Sequence, residues 1–240
     1  ITGDFKDRAS GYQENAFYYN FGQGISVEYK SEAYNSHSNL YGSNWNFYKW
    51  ENGSTNTVRQ EQVGSGTAGV WAAKYKGVSK SDNGAGFSNN SQRKFVRDMG
   101  GYLHKVYESM DNVWYELSSD NGSTWTLMNG GQPLGSSRSK HPAIDNYGNS
   151  VVIVFQEETW SGSKISLRTF NLSSGTYVAD LYTTLAAEAG SYDLAANPAV
   201  GWGYLRRGFA VYQYGVSSEE GLKYVHFTIS EQVPCSLTIH

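Results

Sequence analysis

Ser118-Ser119-Asp120-Asn121-Gly122-Ser123-Thr124-Trp125 sits between two strand-like runs, residues 112–117 and 125–128. The eight residues have the chemistry of a tight hairpin. Asp120 can accept backbone N–H groups one or two residues on, as in an Asx-turn. Gly122 supplies a positive φ without a steric penalty. Ser118 and Thr124 can tie the two arms together, and Trp125 places an apolar plate beneath the turn. The stretch therefore predicts two antiparallel strands joined by a turn with its own hydrogen bonds.

The strand before this hairpin recurs along the chain. Leu103-His104-Lys105-Val106-Tyr107-Glu108 aligns with Val151-Val152-Ile153-Val154-Phe155-Gln156 and with Gly208-Phe209-Ala210-Val211-Tyr212-Gln213; residues 24–30 form a fourth copy. An aromatic stands at Tyr29, Tyr107, Phe155 and Tyr212, and a long polar residue follows each. A shorter run precedes each strand: Arg93-Lys94-Phe95-Val96, His141-Pro142-Ala143-Ile144 and Asn197-Pro198-Ala199-Val200, with Asn15-Ala16-Phe17-Tyr18 as a looser match. Repeats of roughly 40–50 residues are the spacing of propeller blades. The fold class expected is all-β, a β-propeller with four recognisable four-stranded antiparallel blades. Their approximate bounds are 14–63, 92–131, 140–183 and 196–240, with 64–91 as a Gly/Ser-rich inter-blade insertion, all within a single domain 1–240.

The pattern S-x-D-x-G-x-T-W resembles the Asp-box, or BNR repeat, of sialidase-like β-propellers, carried here by Ser118, Asp120, Gly122, Thr124 and Trp125. A worn copy spans residues 46–55, with Glu51 for the aspartate and Asn56 where Trp125 would stand. In that family the Asp-box is a structural hairpin away from the active site. The resemblance implies a fold and leaves the reaction open. Sialidase-like propellers usually close with six blades, so the four found here are expected to belong to a larger ring in a longer chain. A complete four-bladed ring is the alternative.

Composition agrees with strands and turns. Aromatics make up 15% and charged residues only 17% of 240 residues, with 27 Gly to supply turns. The formal charge of −3 provides no basic footprint for nucleic acid, and no run is apolar enough for membrane insertion by a helix. The lone Cys235 rules out a disulfide framework within these residues and a Cys-rich zinc site. Ile1-Thr2-Gly3-Asp4 lacks the regions of a signal peptide, which fits a mature or trimmed form. High Ser, Asn, Gly and Tyr with little Lys leads to the expectation of a secreted or cell-surface protein.

Candidate chemistry is sparse. Sialidase chemistry needs three arginines around the substrate carboxylate, a Tyr nucleophile activated by Glu, and an Asp acid/base. The family's Arg-Ile-Pro tripeptide does not occur, and among the arginines only Arg93 starts an innermost strand. Asn15, Arg93, His141 and Asn197 occupy equivalent starts and are the candidate ligand-binding ring of a central channel, if they do more than solvate its mouth. Glu157-Glu158 and Glu219-Glu220 are placed as loop pairs, where solvated tips outweigh acid/base or calcium roles. The five His are scattered, so no metal site and no cofactor is expected. Tyr34, Tyr41, Trp45, Trp160, Trp202 and Tyr204 fall in or near loops, where they can stack on sugars or pack between blades. The function expected is a non-catalytic extracellular module for recognition or scaffolding, with glycan or another surface protein as partner. The alternatives are a sialidase-type glycoside hydrolase completed by residues elsewhere, and a structural subunit of a surface assembly.

Overall fold

A computed structural model describes residues 6–7, 12–14, 24–28, 45–50, 52–56, 58–62, 72–87, 92–160, 162–173, 176–187, 194–216, 219–230 and 235–240. The chain divides into two compact units, Ile1–Asp82 and Asn83–His240.

The first unit contains β1 (Lys6–Asp7), β2 (Tyr12–Glu14), β3 (Gly24–Glu28), β4 (Trp45–Trp50), β5 (Val58–Gln62) and β6 (Ala72–Gly77). Four of them form a sheet in the order β1-β2-β6-β4, while among the described residues β3 pairs with β5. β6 lies inside the stretch read from the sequence as an insertion. The alternation Ala73-Lys74-Tyr75-Lys76 has the period of a strand, and the Gly/Ser-rich flanks hide it. After β4 the chain turns at Gly53 (φ 87), where Trp50 N–H donates to Ser54 O at 2.8 Å and Trp50 Nε1–H to Asn56 O at 2.7 Å.

The second unit holds three meanders of four antiparallel strands. The first comprises β7 (Phe95–Arg97), β8 (Leu103–Ser109), β9 (Asn112–Ser118) and β10 (Thr126–Leu127); the second, β11 (Ser139–Tyr147), β12 (Ser150–Thr159), β13 (Gly162–Ser173) and β14 (Thr176–Ala187). The third comprises β15 (Leu194–Gly203), β16 (Arg207–Val216), β17 (Glu219–Ile229) and β18 (Leu237–Ile239). β11 packs against β7 on one side and β15 on the other. Successive up-and-down sheets with their first strands side by side are the blade arrangement of a β-propeller. The fold class is thus all-β and of propeller type.

β12 explains why these sheets stack. Its residues Val151 through Phe155 are all 0% exposed. Alternate side chains leave a strand on opposite faces. Val151, Ile153 and Phe155 enter a core with Val106, Val113 and Tyr115 of the first sheet, whereas Val152 and Val154 join Ala210, Tyr212 and Phe227 of the third. A continuous apolar run, rather than an alternating one, is what a strand covered on both faces requires.

The hairpin after β9 is tied by its own side chains. The Asp120 carboxylate accepts the Thr124 N–H at 2.8 Å, the Thr124 hydroxyl at 2.5 Å and the Ser118 hydroxyl at 2.8 Å. Ser118 Oγ in turn accepts the Gly122 N–H at 2.8 Å. Gly122 has φ 93. Trp125 donates to Gly122 O at 3.1 Å, and its ring lies 3.7 Å from the Lys105 ammonium. The Thr124 hydroxyl and N–H, with the Ser118 hydroxyl, pull the Asp120 carboxyl down to about 2.

Candidate active site

Two bulges build the site. β11 loses its register to β12 between Lys140 and Ala143, and β15 loses its register to β16 between Ala196 and Ala199. At the same place in each strand a left-handed residue precedes a proline: His141 (φ 53) before Pro142, and Asn197 (φ 49) before Pro198. Asn tolerates this conformation and His tolerates it less well. Strained backbone of this kind costs on the order of 1–3 kcal/mol and persists where neighbours enforce it.

The neighbours are visible. Gln92, only 3% exposed, donates from Nε2 to His141 O and to Pro198 O, both at 2.9 Å. One amide thus joins both bulged strands. Glu108 Oε1 accepts the His141 N–H at 2.7 Å, and the His141 Nδ1 lies 3.6 Å from the same oxygen. Asn83 Nδ2 donates to Glu108 Oε2 at 3.1 Å. Lys94 Nζ donates to Pro142 O at 2.6 Å and to Gln92 Oε1 at 3.1 Å. Asn197 Nδ2 donates to Gln213 Oε1 at 3.0 Å.

Electrostatics distinguish this end of the sheets. Burial pushes the Lys94 amine down to about 8, against the pull of Glu108. Burial also lowers the His141 imidazole; Glu108 opposes this, while Lys140 and Lys94 add to it. Lys140 Nζ contacts Glu158 Oε1 at 2.9 Å, and Arg138 Nε lies 3.6 Å from Glu158 Oε2. The hydrogen bond from Lys140 holds the Glu158 carboxyl below its usual range. Gln156 is 3% exposed, and its Oε1 meets no hydrogen-bond donor among the described residues. A carboxylate, an imidazole that burial disfavours as a cation and an amine lowered to about 8 form a set suited to moving protons.

The residues singled out from the sequence separate here. His141 and Asn197 mark the two bulges. Arg93 does not join them: it pairs with Asp145 further along β11, and Asp145 also accepts the Trp202 N–H at 2.9 Å. Asn15 lies outside the described residues. Gln92, Lys94 and Glu108 had not been selected. Glu108 has a signal in the long polar residue after each recurring aromatic, which becomes Glu108, Gln156 and Gln213, whereas Gln92 and Lys94 merely flank Arg93.

Glu157 and Glu158 are on β12 rather than in a loop, and Glu219 and Glu220 open β17. Glu157 is fully buried. It accepts the Ser136 N–H at 2.7 Å, the Ser137 N–H at 3.2 Å and the Tyr182 hydroxyl at 2.8 Å, as well as the Ser166 hydroxyl. Burial alone would raise its carboxyl, but these donors and Lys164 outweigh burial and lower it. A Cβ at Gly135 would come within 2.8 Å of Glu157 Oε1. Glu157 therefore ties the 135–137 loop to the second sheet.

No protein-family model matches the chain, and no curated protein matches it. Solved structures do. A GH93 α-L-arabinofuranosidase of Fusarium graminearum, solved with arabinobiose, is similar over 90% of this chain and 65% of its own, at 14% identity and a TM-score of 0.38. An α-L-arabinanase of Penicillium chrysogenum, also with arabinobiose, is similar over 76% and 62%, at 11% identity and a TM-score of 0.40. An exo-1,5-α-L-arabinanase from a bovine ruminal metagenomic library is similar over 99% and 76%, at 11% identity and a TM-score of 0.41. The chain thus spans just under two thirds of the first two. The likeness is one of sheet architecture.

One expectation is corrected. The sequence reading favoured a non-catalytic recognition or scaffold module, with a sialidase or a structural subunit as alternatives. The Fusarium, Penicillium and ruminal structures are an arabinofuranosidase and two arabinanases, glycoside hydrolases, and none is described as a sialidase. Among the described residues Arg93 pairs with Asp145, Arg97 with Asn121, Arg138 with Asp111 and Arg168 with Asn129. These arginines serve separate local partners rather than one carboxylate clamp.

Proposed function

We propose that the chain carries the active site of a glycoside hydrolase acting on a poly- or oligosaccharide, with Glu108 at its centre. The observation that carries the reading is the Glu108 carboxylate, which accepts the His141 N–H at 2.7 Å and feels the charge of Lys94 where β11 begins. Glycosidic hydrolysis needs two carboxyl groups flanking the bond, one to protonate the leaving oxygen and one ionised to activate water or attack the sugar. Glu158 reaches the same end of the sheets through Lys140, the residue before His141. The lowered carboxyl of Glu158 suits the ionised role, which leaves Glu108 as the second carboxyl of the pair. Gln92 positions the backbone that carries His141.

An extracellular location, expected from the composition, suits a polymeric substrate. The resemblance of residues 118–125 to an Asp-box rests on the S-x-D-x-G-x-T-W pattern and concerns the fold rather than the chemistry.

The test is reducing-end release by the purified chain from a panel of neutral polysaccharides, with Glu108→Gln and Glu158→Gln as controls. Each substitution is expected to lower kcat by about a hundredfold or more with the circular dichroism spectrum unchanged. Full turnover by Glu108→Gln, or no release from any member of the panel by the unaltered chain, overturns the proposal.

A further inference from the structure

β11 and β15 carry the bulges at their starts. At their far ends, six residues or about 20 Å along β11 from His141, a separate cavity of about 450 Å³ opens between the second and third sheets. Its walls are the β11–β12 turn, the end of β13 and the β15–β16 turn. This volume lies within the range of small-molecule sites, roughly 300–1,000 Å³.

The lining combines two chemistries. Tyr147 and Tyr204 meet edge to face with centroids 6.2 Å apart and remain 50% and 69% exposed. Trp202 stacks on Phe227 behind them. Asn149 and Asn171 bring neutral amides to the same cavity, and Ser150 completes that wall with its Oγ buried. The third side is a strained turn: Leu205 and Arg206 are left-handed, at φ 57 and 53. Arg206, the one charged residue among the described lining residues, donates from Nη1 to Ser230 O at 3.2 Å.

We infer that this cavity is a second, non-catalytic sugar subsite, which binds a neutral unit of a saccharide chain remote from the Glu108 cluster. Exposed aromatic rings offer apolar faces to the C–H side of a pyranose or furanose. The Asn149 and Asn171 amides match its ring hydroxyls. The inference rests on the hydrolase reading for the class of ligand alone.

The experiment uses the full chain carrying Glu108→Gln, so that the ligand is not consumed. Binding of cellohexaose, xylohexaose, mannohexaose and arabinohexaose is followed by amide chemical-shift titration. At least one is expected to shift signals of the Tyr147 and Tyr204 turns. Tyr204→Ala, at an exposed position, is expected to weaken that binding about tenfold, and Asn171→Ala severalfold. In an otherwise unaltered chain, Tyr204→Ala leaves hydrolysis of a short soluble substrate unchanged. Shifts confined to the Glu108 end, undiminished affinity in both variants, or no binding by any of the four overturns the inference. Retained hydrolysis by Glu108→Gln would sink the proposed active site and leave the titration result standing.

Discussion

Gln92 Nε2 donates to His141 O and to Pro198 O at the same 2.9 Å distance, so one buried amide joins two bulged strands from different sheets. The consequence is energetic as well as geometric. Gln92→Ala would leave two buried carbonyls without that donor. The expected loss is about 2 kcal/mol, read as a lower urea midpoint with an unchanged slope.

His141 holds a left-handed backbone for which glycine is better suited. His141→Gly should relieve about 1 kcal/mol of strain against the loss of the side-chain contacts. The expected outcome is a thermal midpoint no lower than that of the unaltered protein together with reduced hydrolysis. A large fall in the midpoint would mean that the imidazole serves packing rather than chemistry.

Lys94 supplies a pH signature. Its amine is pushed down to about 8, chiefly by burial. The folded protein therefore sheds this proton near pH 8, whereas the unfolded chain keeps it to about 10.5. Between these values the unfolded state binds more protons, so this group makes stability rise with pH. Activity is expected to change near pH 8 as the charge beside Glu108 disappears. Lys94→Arg stays charged and should abolish that limb of the rate profile.

His104 is fully buried, with Nδ1 2.8 Å from the Tyr115 hydroxyl and Nε2 3.4 Å from Asp98 Oδ2. Burial lowers its imidazole, and Asp98 only partly opposes that. Below about pH 6.5 the unfolded chain takes up a proton that the folded one resists. Stability should fall with decreasing pH through that window, by at most about 1.4 kcal/mol per pH unit from this group. Denaturant midpoints between pH 7 and 5 measure the slope, and His104→Gln should flatten it.

Much of the fold was legible because blades repeat one pattern. The recurring runs 103–108, 151–156 and 208–213, each ending in an aromatic and a long polar residue, lie in β8, β12 and β16. Less was legible in the first unit, where β6 is short and flanked by Gly and Ser. Its pairing with β2 and β4 depends on which partner the backbone meets. The site was legible only in outline. His141 and Asn197 were selected by position, whereas Arg93 occupies an aligned position but turns to Asp145.

The sequence by itself determined the recurring strands at 103–108, 151–156 and 208–213 and the turn at Gly122. These follow from the preferences of neighbouring residues. Only the tertiary structure decided that Gln92, Lys94, Glu108 and His141 meet. Glu108 and His141 lie 33 residues apart, on strands of different sheets. The bulge that brings the His141 N–H to a carboxylate exists because adjoining sheets hold a strained backbone that local sequence alone would not favour.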